Sequence, residues 1–184
     1  MKRVTLLVFL ALLINNKSVS QAIPPAPNDK AVVYFARPAM LGFVVEFFYY
    51  DSASFIARAN NTNYVRYECE PGFHIFWGKS ENVSFLEAEL EAGKIYFIEV
   101  IPRMSMLVAD VELNAVDPAK DEKAMNRILK LMEKKSPVTM TEEAMKKESQ
   151  RSQEPIIKSL EKYRQRKEAG KKIDRLEKDM FYKS

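Results

Sequence analysis

Leu113-Asn-Ala-Val-Asp-Pro-Ala-Lys120 is the stretch on which the reading of the fold turns. Before it, apolar and polar residues alternate in short aromatic-rich runs; after it, apolar residues recur every third or fourth position among lysines and acids. The first periodicity is that of half-buried strands and the second that of amphipathic helices. Charge changes at the same place. Residues 21–116 carry seven Lys and Arg against twelve Asp and Glu, whereas residues 117–184 carry nineteen against thirteen. The near-neutral whole therefore conceals an acidic half and a basic half.

Working toward the N-terminus, the β half divides into runs bounded by turn residues. Ala31–Ala36 stops at Arg37-Pro38, and Phe43–Tyr50 has apolar groups on both faces, as an interior strand would. Shorter runs follow at Phe55–Ala59, Tyr64–Glu70 and Phe73–Trp77, with Asp51–Ser54, Asn60–Asn63 and Pro71-Gly72 as turns. Ser84–Leu90 directs Leu86, Ala88 and Leu90 inward and Phe85, Glu87 and Glu89 outward, and Ile95–Ile101 and Leu107–Leu113 close the series. Seven to eight short strands at this spacing predict a mainly β protein, an antiparallel β-sandwich of immunoglobulin-like or prealbumin-like kind, spanning residues 30–116. The three prolines of Ile23–Asn28 mark residues 21–29 as an extended spacer.

Toward the C-terminus, residues 117–184 read as a basic helical extension. Asp117-Pro118 suits a helix start, with Met125, Ile128, Leu129 and Met132 as the stripe and Ser136-Pro137 as the stop. Thr139 with Glu142 resembles a capping box for a second, polar helix ending near Gln150. Glu154-Pro155 opens a third, in which Ile156, Leu160 and Tyr163, then Ile173, Leu176 and Met180, could share a face. Gly170, in the charged gap between those groups, marks a kink or exposed span.

At the other end, Lys2 and Arg3 precede the apolar run Val4–Ile14, and small residues occupy Ser18, Ser20 and Ala22. This is the layout of a secretory signal peptide over residues 1–20, with cleavage after Ser20 or Ala22. Eleven residues fall short of the roughly 20 needed to cross a bilayer. The expected mature chain is exported, periplasmic or secreted, with no transmembrane segment. Its basic and acidic residues nearly balance, which argues against nucleic acid as a partner. Cys69 stands alone and cannot form an internal disulfide, so core burial must supply the stability.

Four elements, Lys30-Ala-Val-Val-Tyr-Phe-Ala-Arg-Pro38, Pro71-Gly-Phe-His74, Glu91-Ala-Gly-Lys-Ile-Tyr96 and Met104-Ser-Met-Leu107, occur in an order that resembles the bacterial family called domain of unknown function 2846. The resemblance covers residues 30–118. It implies an exported, β-sandwich-like module of a family containing many lipoproteins, and it implies no activity. This chain lacks the Cys that would carry a lipid and has a longer charged tail.

The candidates for chemistry are few. A Ser-His-acid triad would require His74, the only histidine, which reads as an outward strand residue opposite in phase to Phe73, Ile75 and Trp77. One His and one Cys exclude the usual transition-metal clusters, no calcium-type loop is present, and the expectation is no cofactor. Cys69 shares a face with Val65 and Tyr67, as a core thiol would. Glu87 and Glu89 are of the type a glycoside hydrolase pairs, and equally of the type that faces water. Phe47-Phe-Tyr-Tyr50 would be a docking platform only if one face stayed uncovered. Asn60-Asn-Thr62 and Asn82-Val-Ser84 fit a glycosylation triplet and read as turn residues.

The remaining functional hint is the tail: Lys158, Lys162, Arg164, Arg166, Lys167, Lys171 and Lys172 could meet an anionic partner, although Glu161, Glu168 and Asp174 are interspersed. The leading expectation is a non-enzymatic exported module for envelope-associated binding or assembly, with an envelope protein or polymer as partner. The alternatives are a hydrolase of envelope polymers, working through Glu87 or Glu89, and a peripheral binder of anionic membrane surfaces.

Overall fold

The computed structural model describes residues 23–39, 45–105 and 108–183. The expected leader, the first residues of the second run (Phe43 and Val44), and Met106 and Leu107 of the fourth resembling element lie outside them. The described residues are mainly β, with the strands β1 (Ala31–Arg37), β2 (Glu46–Asp51), β3 (Ser54–Asn60), β4 (Asn63–Cys69), β5 (Gly72–Lys79), β6 (Val83–Leu90), β7 (Ile95–Ser105) and β8 (Val108–Val116). The helices α1 (Glu122–Lys134), α2 (Glu142–Arg151) and α3 (Gln153–Glu168) follow, and β9 (Asp174–Leu176) comes last. Each predicted run has a strand as its counterpart, because period-two alternation survives wherever the two faces of a strand meet different surroundings.

The strands form two sheets, β4-β1-β7-β8 and β3-β2-β5-β6-β9. Both are mixed, which corrects the antiparallel expectation: β1 runs parallel to β7, with Val32 opposite Ile95, and β6 runs parallel to β9. Only β2–β3, β5–β6 and β7–β8 pair strands consecutive in the chain. The other connections among β1–β8 cross from sheet to sheet, and alternation along a strand carries no information about the direction of its partner.

Between the sheets lies the principal core. Val33, Phe35, Tyr96, Ile98, Val111 and Leu113 come from one sheet, and Phe47, Tyr49, Phe76, Leu86 and Ala88 from the other. The outer faces are covered as well. Val32, Tyr34, Phe97 and Val116 pack under Met125, Ile128, Leu131 and Met132 of α1. Tyr50, Phe55, Trp77 and Phe85 pack under Ile156, with Met145, Leu160 and Tyr163 partly buried beside them. The architecture is therefore four layers deep, helix on sheet on sheet on helices, and every residue of β1 is buried.

The helical boundaries moved. α1 begins at Glu122 rather than beside Asp117, whose carboxylate accepts from the Ala119 amide and so stabilises a preceding turn. Thr141, not Thr139, caps α2, accepting from the Ala144 amide at 3.2 Å. α3 does not continue into Ile173–Met180. Gly170 (φ 63°) ends it, with the Lys171 amide bonded to the Arg166 carbonyl and the Gly170 amide to that of Lys167. That pair of hydrogen bonds is the Schellman arrangement, and a left-handed residue is what it requires. The chain then runs back along β6 as β9 and places Leu176 in the principal core.

Beyond β9, the Tyr182 amide donates to the Ile95 carbonyl, and its ring meets Phe97 edge-on. The proline-rich segment is also engaged, with Ile23 and Ala26 packed at the α1 side. Neither end of the described chain is a free arm.

The outer edge of β8 is closed by side chains. Ser80 donates to the Ala109 carbonyl at 2.7 Å, and Asn82 both donates to the Val111 carbonyl and accepts from the Val111 amide. Ser84 accepts from the Leu113 amide, and Asp174 from that of Ala115. Five backbone groups of an edge strand, otherwise a template for another chain, are satisfied from the facing sheet. Asn82 and Ser84 of the glycosylation-like triplet are thus structural. Gly78 lets the sheets approach here, since a Cβ on it would stand 3.2 Å from both Val111 and Leu113 methyl groups.

Candidate functional site

Two polar clusters and one basic surface could carry chemistry. The first lies where the β2–β3 turn meets the crossing from β4 to β5. His74 Nδ1 is 2.7 Å from Asp51 Oδ2, His74 Nε2 is 2.8 Å from the Glu70 carbonyl, and Tyr67 donates to the same Asp51 oxygen at 3.2 Å. The ring stacks on Phe76 at 5.4 Å. The outward placement of His74 is overturned: His74 and Phe76 look between the sheets, while Trp77 lies under the helices. Hydrophobicity could not reveal this phase, because each face of β5 carries a buried aromatic, Phe76 on one and Trp77 on the other.

Both ring nitrogens face acceptors, a carboxylate and a carbonyl, so this geometry calls for the doubly protonated imidazolium. Burial opposes that charge, but the Asp51 carboxylate overcomes the penalty and raises the His74 pKa above its ordinary value. A general base in a triad needs one nitrogen aimed at a nucleophile, and here Nε2 is occupied. Cys69 is buried, its thiol pushed up to about 12 by burial and by the nearby Asp51 and Glu70 charges. A thiol so disposed is neutral and unreactive.

The second cluster surrounds Glu87. Its side chain points outward from β6, as the alternation predicts, but α3 covers it: Tyr163 donates to Oε1 at 2.7 Å, Lys167 lies 2.6 Å from the same oxygen, and Arg175 3.9 Å from Oε2. Burial opposes the carboxylate charge, but Lys167 and Tyr163 outweigh it and hold the pKa below the ordinary value. The partner phenol is pushed up to about 12, by burial and then by Glu87. Glu89 is partly exposed, so Glu87 and Glu89 do not present a joint carboxylate pair to an open groove. Phe47 and Tyr49 sit between the sheets, and Tyr50 stacks on Trp77 at 3.8 Å with its hydroxyl bonded to Ser152. The aromatic run is therefore no exposed platform.

The seven basic tail residues have separate fates. Lys158 pairs with Glu154, Arg164 with Glu161, and Lys167 with buried Glu87. Arg166 lies over the Phe85 ring at 5.5 Å. Lys162, Lys171 and Lys172 are exposed and have no ion-pair partner among the described residues. These three gather with Arg166 around the C-terminal turn of α3, where two shallow clefts open. Sequence reasoning found the lysines but missed Arg175 as a partner of Glu87, because only the unforeseen β9 brings it alongside β6.

Among the described residues no group of three or more His, Cys, Asp or Glu is placed to hold a metal ion, and no helix is long and apolar enough to cross a membrane. The chain matches no protein-family model, and no curated protein matches it.

Proposed function

We propose that this chain is an exported, non-enzymatic binding module of the cell envelope, related to the domain of unknown function 2846. Its binding surface is the basic end of α3, formed by Lys162, Arg166, Lys171 and Lys172. The observation that carries this reading is the sorting of polar groups. His74, Cys69 and Glu87, the groups a catalyst would use, are committed to internal contacts, whereas Lys162, Lys171 and Lys172 are exposed and without an ion-pair partner among the described residues. The partner is an anionic envelope polymer, drawn by charge and released by salt. The two face-packed sheets favour the immunoglobulin-like or prealbumin-like part of this reading, and the parallel pairs depart from it.

The test is a titration of the protein lacking residues 1–20 with poly(glycerol phosphate), at low and at 0.5 M salt. The expected result is salt-sensitive binding that a Lys162→Glu, Lys171→Glu, Lys172→Glu variant loses while its melting temperature is kept. Binding unaffected by the variant overturns the assignment of the surface. Capture by anionic vesicles but not by the polymer transfers it to the membrane alternative. Hydrolysis of an envelope polymer, lost in Glu89→Gln, overturns the non-enzymatic reading.

A further inference from the structure

Between the outer face of the first sheet and α1 there is a cleft of about 140 Å³, on the opposite side of the molecule from the α3 surface. Its walls are mainly apolar, built from Ile23, Tyr64, Met132 and Pro137, and two polar side chains complete it, Tyr34 and Arg66. Tyr34 is 1% exposed, and its hydroxyl makes no hydrogen bond of good geometry among the described residues. The buried Nε of Arg66 makes none either. The Arg66 guanidinium lies beside the phenol, and a side-chain hydrogen bond between them, short of good geometry, offsets part of the rise that burial imposes on the Tyr34 pKa. Glu68 engages the other side of the guanidinium at Nη1.

A buried donor left unpaired costs free energy that mutation to an apolar isostere would recover, and native proteins leave few such groups. Two such groups line one apolar cleft, where an incoming acceptor would satisfy both. We propose that this cleft binds a small apolar carboxylate, with one carboxylate oxygen accepting from the Tyr34 hydroxyl and the other from Arg66 Nε. The hydrocarbon body rests against Tyr64, Met132 and Pro137. The size suits a ring: an apolar cavity of about 150 Å³ accommodates benzene. Arg66 is a cation that can only donate, and the Tyr34 hydroxyl can donate beside it, which favours an anion with two acceptor oxygens over a neutral or cationic ligand.

The experiment titrates the protein lacking residues 1–20 with benzoate, acetophenone and benzene, followed by backbone amide shifts of residues 31–37 and 63–69. Benzoate should saturate with the highest affinity of the three. Tyr34→Phe, which removes only the hydroxyl, should weaken benzoate on the order of five-fold, and Arg66→Met about ten- to a hundred-fold, with benzene unchanged in both. Without ligand, Tyr34→Phe should melt no lower than the parent, because the buried hydroxyl it loses makes no hydrogen bond of good geometry among the described residues. Equal binding of benzene and benzoate, tighter binding of acetophenone, or a Tyr34→Phe variant with full benzoate affinity each overturns the proposal. So does an absence of saturation by all three, in which case the cleft holds water.

Discussion

Leu176 supplies the sharpest test of whether the C-terminal chain belongs to the core. It lies in a three-residue strand after sixteen residues of exposed-faced helix, yet it has no solvent exposure and sits among the inter-sheet side chains. Leu176→Ala removes three buried carbons and leaves a cavity beside Ala88, its partner in the register. Fully buried Leu→Ala changes cost about 2–5 kcal/mol, the transfer and cavity terms together. Taking about 3 kcal/mol for a chain of this length, the melting temperature should fall by roughly 6–12 °C. The control is Ile157→Ala, at a side chain 69% exposed, which should lie within about 0.5 kcal/mol of the parent. Thermal and denaturant unfolding followed by circular dichroism would supply both values. If Leu176→Ala unfolds with Ile157→Ala, β9 is not part of the cooperative core.

Asn82→Ala should strand the Val111 amide and carbonyl, costing about 2–4 kcal/mol, and should expose the β8 edge; unaltered melting together with unaltered light scattering on storage would contradict the edge-closing role. His74 has a folded pKa above its ordinary 6.5, so its contribution is complete below that pH and is lost as pH rises through the folded value. The stability gap between the parent and His74→Gln should therefore shrink from pH 6 to pH 9, and a constant gap would show that the Asp51 pair does not titrate. Glu87 behaves in the opposite sense: its advantage is present above its ordinary pKa of 4.5 and lost as pH falls through the lower folded value, so Glu87→Gln should flatten the acid limb of the pH–stability curve. Cys69 should react with a thiol reagent only as fast as the protein unfolds, and prompt modification of the native protein at pH 8 would contradict its burial.

Much of the β scaffold was legible. Phe47 and Tyr49 against Phe48 and Tyr50, or Leu86, Ala88 and Leu90 against Phe85 and Glu87, divide between two environments as alternation requires. The α1 stripe was also readable, with Met125, Ile128 and Met132 buried and Leu131 joining them. The candidate site was less so. The type of Glu87 was noticed, but Tyr163, Lys167 and Arg175 come to it from 76, 80 and 88 positions away, and no local pattern encodes such a meeting. The phase of His74 was lost because an apolar face turned toward helices looks, in sequence, like one turned toward a second sheet.

What the sequence determined by itself was the place and kind of each of the eight main strands and the change to helices after Val116, since both follow from side-chain periodicity and local turn chemistry. Strand order, the two parallel pairs, the return of Leu176 to the core and the side-chain closure of the β8 edge were decided by tertiary structure alone. Those features depend on which distant surfaces bury each other and which distant donors meet which acceptors. Three residues such as Asp174-Arg-Leu176 have too little periodicity of their own to declare a strand until a neighbouring edge supplies the hydrogen bonds.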